Sequence, residues 1–87
     1  MLAANRRRIA IVFPFFDPYG GMPALTSTIV EGDHIVTKRD IEKRTMCWDF
    51  EPVSIRSTTD GGWVVHFRCD ADAPVESITL DRDGNER

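Results

Sequence analysis

Val53-Ser-Ile-Arg-Ser-Thr-Thr-Asp-Gly-Gly-Trp-Val-Val-His-Phe-Arg-Cys69 decides the fold. Two alternating runs flank an Asp-Gly-Gly turn signal, the pattern of a β-hairpin with one buried face. A two-residue loop at Asp60-Gly61 would set Trp63, Val65 and Phe67 opposite Thr58, Arg56 and Ser54, burying an arginine among rings. A three-residue loop, Asp60-Gly61-Gly62, removes that conflict. Thr59 then meets Trp63, Ser57 meets Val65, Ile55 meets Phe67 and Val53 meets Cys69 on one face. The other face receives Thr58 with Val64, Arg56 with His66 and Ser54 with Arg68. The longer loop is therefore expected, with Gly62 as its left-handed residue.

A second hairpin is expected upstream, where Leu25 to Val30 and His34 to Thr37 flank Glu31-Gly32-Asp33. A two-residue Gly32-Asp33 loop suits a type II′ turn, which wants Gly first. It pairs Glu31 with His34, Val30 with Ile35 and Thr28 with Thr37.

Ahead of it stands Ile9-Ala-Ile-Val-Phe-Pro-Phe-Phe-Asp-Pro-Tyr-Gly-Gly-Met-Pro23. Residues 9 to 16 are apolar without alternation, which suits a strand covered on both faces by another layer of the chain or by a second copy. Phe13 and Phe15 share strand parity with Ile9 and Ile11 and are expected in the core. Phe16 and Tyr19 flank Asp17-Pro18 in a loop, and rings held on a stiff Pro/Gly loop are the residue types that anchor interfaces.

Residues 38 to 51 read two ways. Thr37-Lys-Arg-Asp40 resembles a capping box with Asp in place of Glu, and Asp40 with Arg44 is an i, i+4 pair, so a short helix over about 38–45 is expected. The alternation Met46, Trp48, Phe50 then reads as a strand ended by Pro52. Asp70 to Pro74 is a loop, Val75 to Leu80 an edge strand and 81–87 an acidic tail. The fold class is mainly β: a small single-domain antiparallel sheet or partly open barrel with at most one short helix, α+β being the alternative.

Eighty-seven residues with 41% hydrophobic and 29% charged content suffice for one domain and one core. The net charge is -3, and the chain runs from a basic head, Arg6, Arg7 and Arg8, with a flexible N-terminus expected over 1–7, to the acidic tail. Overall acidity argues against general nucleic-acid affinity, although the arginines could touch phosphates. Cys47 and Cys69 are too few for a disulfide-dependent scaffold, so free thiols and a cytoplasmic location are expected. No stretch approaches the length of a membrane helix.

Catalytic and metal chemistry find little footing. His34, Cys47, His66 and Cys69 lack the closely spaced ligand pairs of zinc motifs. Asp81-Arg-Asp83-Gly84-Asn-Glu has acids two apart before a glycine, but the chain ends before the bidentate Glu of a calcium loop. There is no Gly-x-Ser-x-Gly, and Gly20-Gly21 and Gly61-Gly62 lack the Lys of a phosphate loop. No cofactor is expected and no enzyme.

The leading expectation is a small non-catalytic protein-binding module, an inhibitor or accessory factor, that contacts a protein partner through Phe16, Tyr19 and Met22. Self-association into a homodimer is compatible with it. A second reading takes the acidic tail with Asp70 and Asp72 as a phosphate-backbone mimic, an acidic inhibitor of phage or mobile-element type. A third is a small enzyme or ligand carrier, which would need a closed apolar pocket with convergent polar groups.

Overall fold

The computed structural model describes residues 1–16, 22–44, 47 and 49–87. Seven strands follow one another: β1 (Leu2–Asn5), β2 (Arg8–Phe15), β3 (Ala24–Glu31), β4 (His34–Lys43), β5 (Glu51–Ser57), β6 (Trp63–Arg68) and β7 (Glu76–Leu80). They form two antiparallel sheets, β1-β2-β3-β4 and β5-β6-β7, in simple sequential order. The sheets do not close into a barrel, and the described residues contain no helix. The helix expected over 38–45 is absent: β4 runs through Lys43, and two bulges place Val36 and Ile41 as its extra residues. Ile41 turns into the core at one of them, so the bulge buries an apolar side chain that regular alternation would have sent to the other face.

The hairpin at Gly32-Asp33 forms as expected. Glu31 pairs with His34 and Val30 with Ile35, and Gly32 takes the positive φ of 62° that the first turn position requires. Beyond the first bulge, however, Thr37 faces Ile29 and Thr28 faces Lys38.

The β5–β6 hairpin has the expected parity and a different register. Trp63, Val65 and Phe67 point inward and alternate with half-exposed Val64, His66 and Arg68. The partners are Ser57 for Trp63, Ile55 for Val65 and Ser54 for His66, so the loop is Thr58 to Gly62, two residues longer than the three expected. The left-handed residue is Gly61, at φ 94°. Thr58 explains the extra length: its N–H donates to the Gly62 carbonyl at 3.0 Å, and its hydroxyl accepts from the Gly62 N–H at 3.1 Å. Pro52 does not end a strand but lies inside β5, beside a bulge that ejects Val53. β5 is an edge strand, where a missing N–H costs least.

Pro14 has a parallel explanation in β2. The backbone groups of Val12 point toward β1 and bond Met1, so those of Pro14, two residues on, would point past the end of β1 where no partner waits.

Each sheet turns one face to the other. The first contributes Ala10, Val12, Leu25 and Ile29, and the second Trp63, Val65, Phe67, Ile78 and Leu80, all buried. Trp63 sits against Ala10 and Ile29 and donates its indole N–H to the Ala3 carbonyl at 3.0 Å. The chain passes between the sheets once, through residues 44–50, and there Cys47 is bonded to Cys69. The cysteines are thus not free thiols, and the argument for a reducing compartment loses its footing.

Both termini are built in. The expected flexible segment 1–7 contains β1, and Asn5 donates to the carbonyls of Thr58 and Gly62, both at 2.8 Å. The acidic tail is also folded: the Asp81 carboxylate accepts from the N–H groups of Asp83 and Asn85 at 2.9 Å. Gly84, at φ 81°, packs under Ile29 and Thr37, and Arg87 donates its N–H to the Thr79 carbonyl at 2.8 Å. Of the two acids in 81–85 that resemble a calcium loop, Asp81 serves as the turn acceptor and Asp83 accepts from Arg8 at 2.7 Å instead.

Several carboxylates are stabilised as anions by the fold. The Thr58 hydroxyl first, then the Arg87 guanidinium, hold the Asp60 carboxyl down at about 2. Arg44 lowers Glu76, and Arg68 lowers Glu51. Burial pushes Asp81 up, but the N–H groups of Asn85 and Asp83 outweigh it and leave its value lowered. All four folded values lie below the unfolded ones, so this stability is complete above the unfolded values of about 4 and is lost as pH falls through the folded ones. The melting temperature is expected to be level from pH 7 to about 5 and to decline from about pH 4 to 2. The decline is modest because these groups are solvent-screened. A melting temperature unchanged between pH 5 and pH 2 would contradict it.

Candidate functional site

The outer face of the four-stranded sheet has no cover among the described residues. Its rows follow from the registers: Ala4, Ile9, Val30 and Ile35; Leu2, Ile11, Thr28 and Lys38; Phe13, Thr26 and Asp40; Phe15, Ala24 and Lys43. The β1–β2 side is apolar and the β4 edge is charged. Leu2 is 63% exposed, Phe15 51% and Ile35 67%.

Expectation and structure part here. Ile9, Ile11, Phe13 and Phe15 do share one side of β2, but it is the outer side; Ala10 and Val12 take the core. The strand buried on both faces is β3, from Ala24 through Ile29. Small residues permit this. Ala24, Thr26 and Thr28 stand between Phe15, Phe13 and Ile11 of β2 and Lys43, Asp40 and Lys38 of β4, and all three are buried. Thr26 donates its hydroxyl to Asp40 at 2.9 Å, and Asp40 also pairs with Lys43 at 3.3 Å.

Of the expected contact residues, Phe16 and Met22 are described, 43% and 44% exposed, at the Phe15 end of this face. Tyr19 lies outside the described residues. The sequence reading missed Leu2, Ile9 and Ile35. The signal available for them was the double-faced apolar run of 9–16, which leaves one side without an obvious cover.

Four strands about 4.8 Å apart, with about eight residues of ~3.3 Å each, make the face roughly 500 Å². That area includes the buried β3 row and the charged β4 edge, so the exposed apolar part, with Leu2, Ile9, Phe15 and Ile35, is smaller, and well below the ~800 Å² per partner of a standard interface. Phe16 and Met22, both exposed, adjoin the strand ends at Phe15 and Ala24 in sequence. Charges at the β4 edge and its two bulges blunt strand-to-strand pairing there, so the face is a better docking surface than the edge.

His66 accepts or donates a hydrogen bond with Ser54 at 3.2 Å on the outer side of the second sheet. Cys69, bonded to Cys47, and the exposed His34 do not join it. Among the described residues no His, Cys, Asp or Glu cluster of three or more could hold a metal ion, and no helix is long and apolar enough to cross a membrane. No protein-family model matches the chain, and no curated protein or solved structure is significantly similar to it.

Proposed function

We propose that this chain is a small non-catalytic binding module that docks a protein partner on the outer face of its four-stranded sheet, with Phe15, Phe16 and Met22 at one end. One observation carries the reading. The inner face is sealed by the chain's own second sheet, while the outer face keeps Leu2, Ile9, Phe15 and Ile35 in water. Such a surface buries apolar area only when something else covers it. The module needs no cofactor and no catalytic residue. The acidic-mimic reading is weakened because the tail's acids are engaged within the fold: Asp81 holds its own turn, and Asp83 pairs with Arg8 at 2.7 Å.

Ile9→Lys and Phe15→Lys are expected to keep the wild-type melting temperature within a few degrees, since both side chains already face solvent. Each should weaken partner binding about 30-fold or more, as loss of a central apolar anchor of ~2 kcal/mol does. Capture from the native host, followed by titration of the recovered partner, measures this. Light scattering on the wild type tells whether that partner is a second copy. Undiminished binding by both variants would overturn the reading.

A further inference from the structure

At the end of the molecule away from the disulfide, the β1–β2 turn, the Thr58–Gly62 loop and the turn after β7 converge on a cleft of about 250 Å³ walled by Arg6, Arg7, Arg8 and Arg82. Arg8 is spoken for: it binds Glu31 at 3.2 Å and Asp83 at 2.7 Å, and donates to the Arg82 carbonyl at 2.8 Å. The other three are not neutralised. Arg7 and Arg82 have no ion pair among the described residues, and Arg6 spends one N–H on the Thr59 carbonyl at 3.1 Å. All three are solvent-exposed, so water and salt screen their mutual repulsion, but together they make a local positive field, in a chain of net charge -3, that an anion entering the cleft would gain from.

The backbone supplies a second, independent sign. Arg6 is the one non-glycine residue with positive φ, 59°, among the described residues. It occupies the first position of a two-residue hairpin turn between Asn5 and Arg8. The β3–β4 hairpin uses the same first position at nearly the same φ, 62°, and fills it with Gly32. The fold thus places glycine at one such turn and tolerates strain to keep arginine at the other, and strain retained in this way gathers where side chains have work to do. Gly61 completes the arrangement: a Cβ there would stand 3.3 Å from an Arg6 guanidinium nitrogen, so the bare backbone leaves room for the fork to lie across it.

We infer that this cleft binds a phosphate monoester dianion, with Arg6, Arg7 and Arg82 as its ligands and Arg8 as the fixed wall behind them. Guanidinium forks match phosphate oxygens in pairs. The four arginines less Glu31 and Asp83 leave a local charge that suits a dianion. A volume below the ~300–1,000 Å³ of sites for larger ligands fits a phosphate group with its water, not a whole nucleotide enclosed. The inference is separate from the apolar docking face and stands or falls without it.

The test titrates inorganic phosphate into the intact chain at pH 7.5 and constant ionic strength, followed by amide chemical shifts of residues 6–8 and 61. Saturable one-to-one binding is expected, with sodium chloride producing no such shifts and dimethyl phosphate, a monoanionic diester, binding at least fivefold more weakly. Arg7→Ala and Arg82→Ala should each weaken phosphate at least fivefold without changing the melting temperature. Arg6→Gly should weaken it as much while the melting temperature holds or rises, because glycine relieves the turn. Shifts that fail to saturate, equal binding of dimethyl phosphate, or affinity unaffected by the three substitutions would each overturn the assignment.

Discussion

Gly62→Ala is expected to lower the melting temperature by about 15–30 °C, the loss of about 3–5 kcal/mol in a domain of this size. A Cβ at Gly62 would overlap the Leu80 carbonyl oxygen and stand 3.1 Å from the Asp81 Cα. All of these obstructing atoms belong to backbone, so no rotamer change relieves the clash. Retreat of Gly62 is blocked as well, since its N–H bonds Thr58 and its carbonyl receives both the Thr58 N–H and the Asn5 side chain. Retreat of Leu80 would open the β6–β7 ladder at the Trp63–Leu80 pair, over the most buried ring of the core. The whole stability of an 87-residue domain is on the order of 4–13 kcal/mol. Gly61→Ala provides the control, because there the strain is only that of φ 94° and the nearest atoms are side chains; it should cost about 1–2 kcal/mol. Thermal melts of the two variants side by side check the ordering. A Gly62→Ala protein that melts within a few degrees of wild type would mean that β6 and β7 do not pair in this register.

The sequence singles out Gly62 as the loop's left-handed residue, whereas the positive φ falls on Gly61 and what constrains Gly62 is the Leu80 backbone. Position 62 reads as the left-handed residue of a short loop because nothing local reveals that Thr58 bonds across to Gly62 and lengthens the turn by two residues. Parity survived that error, since Trp63, Val65 and Phe67 must share a face whatever the loop length. Register did not, because side-chain hydrogen bonding and a bulge at Val53 decided it. The same division holds in β4. Gly32-Asp33 encodes the turn locally, whereas the bulges at Val36 and Ile41 answer to how the edge strand lies on the core.

The candidate face shows where sequence reasoning runs out. In Ile9-Ala-Ile-Val-Phe-Pro-Phe both parities are apolar, and size alone favours burying the larger set. The structure buries the smaller one, Ala10 and Val12, because Trp63 of the opposing sheet fills the space above Ala10. A large ring on one sheet thus selects a small residue on the other, and that choice sends Ile9 and Phe15 outward. Nothing within residues 9 to 16 records the position of Trp63. The arginine cleft was hidden in a similar way: Arg6 to Arg8 read as a solvated terminus until a loop fifty residues on and the turn after β7 closed around them.

Reduction of the Cys47–Cys69 bond is expected to destabilise the fold by about 3 kcal/mol, the loop-closure value for a separation of 22 residues. At about 4–8 °C per kcal/mol that is a fall of roughly 12–24 °C. The location makes the bond matter more than its loop length suggests. Residues 44–50 are the single covalent passage between the two sheets, so a reduced chain holds them together at this end by packing and by Arg44, which grips Glu76 at 2.6 and 2.7 Å. Cys47 is fully buried in the main core with Phe50 and Phe67, and reduction should therefore be slow until that end opens. Dithiothreitol leaves both sulfurs in place, whereas Cys47→Ala also empties core volume; the reductant isolates the cross-link, and the substitution should cost more. Cys69→Ala, at a half-buried site, should fall close to the reductant alone. The measurement is a thermal melt with and without reductant, beside thiol titration of the denatured protein. Two free thiols in protein purified without reductant, or a melting temperature indifferent to dithiothreitol, would show that packing and the Arg44–Glu76 pair suffice to join the sheets.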